Sequence, residues 1–151
     1  MARFRYKMQN ILSIKEKMET QAKQAFADAK RRLDHEIEEL DALLARKREI
    51  ERHAVEVLQG ELDMHEIEDS QMARIVIDQK IAEQRQRVSR AEIALENTRA
   101  QLEEAVKERK THEKLKEKQF DEFVREDSRA ESKTIDELTT YTYGQKVTEN
   151  G

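Results

Sequence analysis

The densest group of chemistry-bearing side chains lies near the middle of the chain, where Asp63, His65, Glu66, Glu68 and Asp69 fall close together. A His-Glu pair opens the zinc-protease pattern only when a second histidine stands four positions after the first. Here that position is Asp69, so the pattern is absent. The five side chains could chelate a cation weakly, but solvated acids in a turn are the plainer reading. His35, His53 and His112 are scattered singly, and there is no cysteine, hence no disulfide and no thiolate metal site. No serine or lysine stands in a nucleophile motif. Glycine occurs only at Gly60, Gly144 and Gly151, so no glycine-rich loop cradles a phosphate. The expectation is a non-enzymatic chain with no catalytic residue, no metal and no cofactor.

Three features could carry binding instead. The first is the basic run 107–118, in which Lys107, Lys110, Lys114 and Lys118 share one helical face and Arg109 lies within the run. Like charges at i,i+4 cost a few tenths of a kcal/mol in a helix and become favourable against an acidic partner; a solvated face is the alternative. The second is the aromatic and basic N-terminus, with Phe4 and Tyr6 among Arg3, Arg5 and Lys7. The third is Met72, Ile75, Val76, Ile77 and Ile81, of which at least Ile75 or Val76 must point partly outward, because three adjacent apolar residues cannot all face one seam.

The elements that position these residues are helices. Charged residues make up 41% of the 151 positions, hydrophobic residues 36% and aromatics 5%, too little apolar material for an ordinary globular core but enough for the narrow seam of a coiled coil. Proline, the strongest helix breaker, is absent. In the first half the apolar stripe reads Phe4, Met8, Ile11, Met18, Ala22, Ala25, Ala29, then Leu33, Ile37, Leu40, Leu44, Ile50, Ala54 and Leu58, with Lys15 interrupting. Its successive steps of four at 29, 33 and 37 predict a stutter, a local unwinding of the supercoil. Leu43, Ile50 and Val57 form a second row beside it. In the second half Ile81, Val88, Leu95 and Leu102 recur every seven residues, complemented by Ile77, Gln84, Ala91, Thr98 and Ala105, with Arg109 and His112 continuing the rows.

The pattern falters between Gln59 and Gln71, where Gly60 can end one helix and Asp69 or Ser70 can cap the next. The sequence therefore predicts an all-α chain forming a long antiparallel two-helix coiled-coil hairpin. Helix one runs over about 3–59, a turn over 60–70, helix two over 71–138 and a frayed tail over 139–151, all within a single coiled-coil domain 1–151. Such a hairpin need not dimerise, so it is expected to be monomeric alone. Polar seam residues such as Lys15, Gln84 and Arg109 sacrifice stability and fix register.

The 29 basic and 33 acidic residues give a net charge of −4, which does not indicate a nucleic-acid binder. No apolar run reaches the ~20 residues of a membrane span, and the N-terminus lacks the apolar stretch of a signal peptide, so direct membrane insertion is not expected and a cytoplasmic location is.

The opening Arg3-Phe4-Arg5-Tyr6-Lys7-Met8-Gln9-Asn10-Ile11-Leu12-Ser13-Ile14-Lys15 resembles the N-terminal signature of the flagellar export protein FliJ family, with Glu19, the Ala22-Lys23 pair and the alanine-rich 25–29 following in place. The segment Ala105-Val106-Lys107-Glu108-Arg109-Lys110-Thr111-His112-Glu113-Lys114-Leu115 is similar to that family's A-x-x-x-R-K-x-x-E-x-L core, and Asp136-Glu137 to its C-terminal acidic pair. The resemblance implies a stalk-like coiled coil of the type III export apparatus, serving flagellum biogenesis and through it motility and chemotaxis. Such proteins associate with the hexameric export ATPase and its regulator, promote ATPase assembly and activity, and contact the membrane export gate, FlhA, and export chaperones.

The implied location is cytoplasmic, peripherally associated with the inner face of the membrane at the flagellar base. By the same resemblance the ATPase end carries Phe4, Tyr6, Met8, Ile11, Phe120 and Phe123, and the gate contact falls on Ile77, Ile81, Gln84 and Val88, which also belong to the best seam rows. The basic face, read from the residues themselves, carries Lys107, Arg109, Lys110 and Lys114. An injectisome stalk protein of the same class, or a structural coiled-coil spacer without an ATPase partner, are the competing readings. A rotary-ATPase stalk subunit is less suited, because the stretch between Leu58 and Met72 leaves no room for a globular insertion.

Overall fold

In a computed structural model that describes residues 3–149, with side chains described over 3–145, the chain forms two helices and, among the described residues, no strand. Helix α1 spans Gln9–Glu56 and helix α2 spans Met64–Glu149. They pack antiparallel, as the sequence pattern predicts.

Helix α1 begins later than residue 3. Residues 3–6 are not helical, and a turn at Lys7-Met8 leads into α1, with the Gln9 amide donating to the Tyr6 carbonyl at 3.1 Å. At its far end the last turn tightens. The Leu58 and Gln59 amides donate three residues back, to Val55 and Glu56 at 3.2 and 3.1 Å. Gly60 then adopts φ +80°, the left-handed backbone that releases the chain from the helix and that a side chain would strain.

The next helix is capped by Asp63 rather than by Asp69 or Ser70. The Asp63 carboxylate accepts the His65 amide at 2.9 Å, and its carbonyl accepts the Ile67 amide at 3.1 Å. An acid one residue before a run with strong helix propensity satisfies an orphan amide at once, so α2 starts seven residues ahead of the predicted 71. Ser70 instead lies inside α2, buried. At the other end α2 continues through the predicted tail as far as Glu149. The hydroxyls of Thr140 and Thr142 donate to the carbonyls four residues back, Asp136 and Leu138, which accommodates them in the helix. Residues 150–151 of that tail lie outside the described residues.

Two compact units divide the chain. Unit 1 joins residues 1–19 to 105–151. Its buried side chains are Tyr6, Leu12, Glu19 and Ala105. Unit 2 is the continuous stretch 20–104. It buries Val57, Ser70, Ile77, Ile81, Gln84 and Ala91.

The α1 seam corrects the predicted stutter. One row of buried and half-buried positions runs Leu12, Lys15, Glu19, Ala22, Phe26, Ala29, Leu33, Glu36, Leu40, Leu43, Lys47, Ile50, Ala54 and Val57 in alternating steps of three and four, with Ser13, Ala25 and Leu44 half-buried beside it. Ile11, Met18, Ile37 and Leu58, which the apolar reading placed on the stripe, are 39%, 44%, 38% and 60% exposed. The seam keeps its period by accepting charged residues at four positions, and each of these finds a partner on α2.

Candidate interaction surfaces on the helical hairpin

In unit 1 the polar seam is a set of cross-helix pairs. The Lys15 ammonium lies 2.8 Å from Glu108 Oε2, and the Lys116 ammonium donates to Gln9 Oε1 at 2.7 Å. Arg109 donates through Nε to Glu19 Oε2 at 2.5 Å and through Nη1 to Glu113 Oε2 at 2.8 Å. These contacts, the bond to Glu19 first, raise the Arg109 pKa above its ordinary value. Unit 2 has its own pairs. Gln84 Nε2 donates to the Glu36 backbone carbonyl at 2.9 Å and to its carboxylate at 2.5 Å, and Lys47 meets Asp78 at 2.8 Å. Removing either member of such a pair leaves the other charge or amide half-desolvated, so a slipped register is disfavoured.

The residues assigned to the ATPase end come together in unit 1. Phe4 packs edge-on against Phe120, with ring centroids 5.2 Å apart at 76°, and tilted against Phe123 at 5.5 Å. Tyr6 is buried, and its hydroxyl has no partner among the described residues. Met8, Phe4 and Phe123 are half-buried, so the non-helical N-terminal segment is strapped onto α2 by its aromatic rings. What remains on the surface there is Ile11, Ile14, Met18, Phe120 and Val124. Farther along α2, Ile135, Leu138, Tyr141 and Tyr143 are more than half exposed, with exposures of 62% to 71%.

The residues assigned to the gate are placed differently. Ile77, Ile81 and Gln84 are buried and Val88 is half-buried in the seam of unit 2. Their side chains are occupied within the hairpin, so they reach a second protein only if the seam opens. The neighbouring Met72, Ile75 and Val76 are 60%, 54% and 40% exposed, as adjacency along a helix requires.

The basic run splits in two. The side chains of Lys107, Lys110 and Lys114 are exposed and form no ion pair among the described residues. Arg109 does not share their face: it points into the seam, and its charge is spent on Glu19 and Glu113. Glu19, Glu36 and Lys47 are the residues that sequence reasoning missed. A strict alternation of three and four counted from Leu12, regardless of polarity, lands on all of them. In the turn, the Asp63 carboxylate serves as the α2 cap. Among the described residues no three His, Asp or Glu side chains converge to hold a metal ion, and no helix is long and apolar enough to cross a membrane.

Comparison with known proteins agrees with this architecture. A structure described as that of a YscO homolog, CT670, from Chlamydia trachomatis superposes with a TM-score of 0.73 at 22% identity, covering 93% of this chain and 96% of that one. This likeness establishes the shared fold. No curated protein sequence matches the chain. The family model described as Flagellar FliJ protein matches residues 4–148, spanning both helices, both units and the aromatic N-terminal strap. The chain belongs to the flagellar FliJ protein family.

Proposed function

We propose that this chain is a non-enzymatic, stalk-like component of the flagellar type III protein export apparatus. It binds the hexameric export ATPase and its regulator and promotes the ATPase's assembly and activity. It also links the ATPase to the export gate, FlhA, and to export chaperones. Family membership over 4–148 is the observation that carries this reading. The likeness to a YscO homolog supports the hairpin fold and does not by itself favour the injectisome alternative. The protein works in the cytoplasm, held peripherally at the membrane by its partners.

The mechanism is mechanical. Coiled-coil helices bend little, and the charged seam pairs hold the register within each unit, so each unit presents its contacts in a fixed arrangement. The ATPase contact lies on unit 1, where Ile11, Ile14, Phe120 and Val124 are exposed around the ring cluster of Phe4 and Phe123. The gate contact lies near the connection, on Met72, Ile75 and Val76, with Ile77, Ile81, Gln84 and Val88 supporting them from the seam. Lys107, Lys110 and Lys114 supply a basic face for an acidic surface of one of these partners.

Size-exclusion co-elution with the purified export ATPase tests the placement. Wild-type chain is expected to co-elute. Phe120→Ser with Val124→Ser is expected to dissociate while keeping full helicity. Co-elution unchanged by this pair removes the ATPase contact from that end.

A further inference from the structure

Some surface arginines of this chain are matched by acids on their own helix. Arg31 pairs with Asp28, Arg46 with Glu49, and Arg99 with Glu96 and Glu103. Arg32, Arg87 and Arg90 are not matched, and they stand together. They line one groove of about 600 Å³ in unit 2 together with Glu36, Ala91 and Ala94, and among the described residues none of the three guanidiniums has an ion pair or a hydrogen bond. The single acid in the groove does not answer them, because the Glu36 carboxylate and carbonyl both accept the Gln84 amide. Three unanswered guanidiniums around one groove repel each other modestly, and a matching anion would remove that cost.

We propose that this groove is a docking site for an acidic helical segment of another protein, held by carboxylate–guanidinium pairs. Arginine presents a planar fork of donors that matches a carboxylate bidentately, which a lysine cannot do. The floor is made of Ala91, which is buried, and Ala94, so a partner backbone can approach closely. From Arg87 to Ala94 the groove follows α2 for about 10 Å, two helical turns. A partner helix with acids at i, i+3 or i+4, and i+7 matches that length. A nucleic acid is disfavoured by the net charge of −4 and by Glu36 inside the groove. This site is separate from the ring cluster and from the lysine face, and it stands or falls independently of the ATPase contact.

The test uses the full chain and a fluorescein-labelled helical peptide bearing glutamates at i, i+4 and i+7, read by fluorescence anisotropy. Saturable binding that weakens with salt is expected. Arg87→Glu with Arg90→Glu is expected to weaken it by about tenfold or more, the scale of losing one to two charge-assisted pairs. Arg48→Glu with Arg52→Glu, an equal change of net charge elsewhere on α1, is expected to change it less than about twofold. The neutral pair Arg87→Gln with Arg90→Gln, checked for full helicity by circular dichroism, is expected to weaken binding likewise. Absence of saturable binding, equal loss in the Arg48/Arg52 variant, retained binding in the Gln pair, or an RNA oligonucleotide displacing the peptide more effectively than unlabelled peptide would each overturn the proposal.

Discussion

The contrast between Leu12 and Lys107 sets the scale of what single residues do here. Leu12 is 2% exposed at the seam of unit 1, and truncation to alanine is expected to cost about 3 kcal/mol, because the lost transfer energy is joined by a cavity that two helices close only partly. Lys107 is exposed, and Lys107→Glu is expected to stay within about 0.5 kcal/mol of wild type. Urea denaturation followed by circular dichroism measures both. Gly60 is the residue whose backbone decides the turn. At φ +80° with open space around it, Gly60→Ala meets no clash but strains the left-handed conformation, and a loss of about 1 kcal/mol is expected in the same assay. Asp63→Ala removes the α2 cap and is expected to cost about 1 kcal/mol as well.

The helices themselves were the most legible part of the sequence. A chain without proline, with no glycine between Gly60 and Gly144 and sevens through Ile81, Val88, Leu95 and Leu102, has few ways to fold other than two paired helices. The α1 register was harder to read, because an apolar search steps over Lys15, Glu19, Glu36 and Lys47 and lands on Ile11, Met18 and Ile37 instead. Those charged residues belong in the seam only because their partners stand on the other helix: Glu108 for Lys15, Arg109 for Glu19, Gln84 for Glu36 and Asp78 for Lys47. The three/four alternation within α1 marks their positions, but the identity of each partner lies on the other helix.

Arg109 reads two ways in the sequence, as a continuation of the seam rows and as part of the basic run, and its pairs with Glu19 and Glu113 keep it in the seam. Arg109→Glu is therefore expected to lower the thermal midpoint far more than Lys110→Glu, since it sets like charges against Glu19 and Glu113. The double change Glu19→Leu with Arg109→Leu is expected to keep or raise the midpoint while loosening register and oligomeric state, because a buried polar pair contributes specificity more than stability. Light scattering on the double variant checks this: a strictly monomeric, wild-type-like species would show that the pair does not specify register.

At the scale of the whole molecule, function follows from what the seam leaves exposed. The family match over 4–148 points to an export stalk, and the surfaces available for that work are the aromatic end of unit 1, the apolar residues near the connection in unit 2 and the lysine face of α2. The resemblance implies contacts at the aromatic end, while the residues themselves pointed to the lysine face and to an outward Ile75 or Val76. The gate positions it named lie in the seam, because one step along a helix turns a side chain by about 100° and moves it from surface to seam. The central claim is that the chain acts on the export ATPase without chemistry of its own, and the most direct measurement is the ATP hydrolysis rate of the cognate flagellar export ATPase with and without the purified chain. A saturable rise in rate that is lost in Phe120→Ser with Val124→Ser is the expected result. An unchanged rate across saturating concentrations of a fully helical chain would contradict it and leave an export adaptor or a coiled-coil spacer in its place.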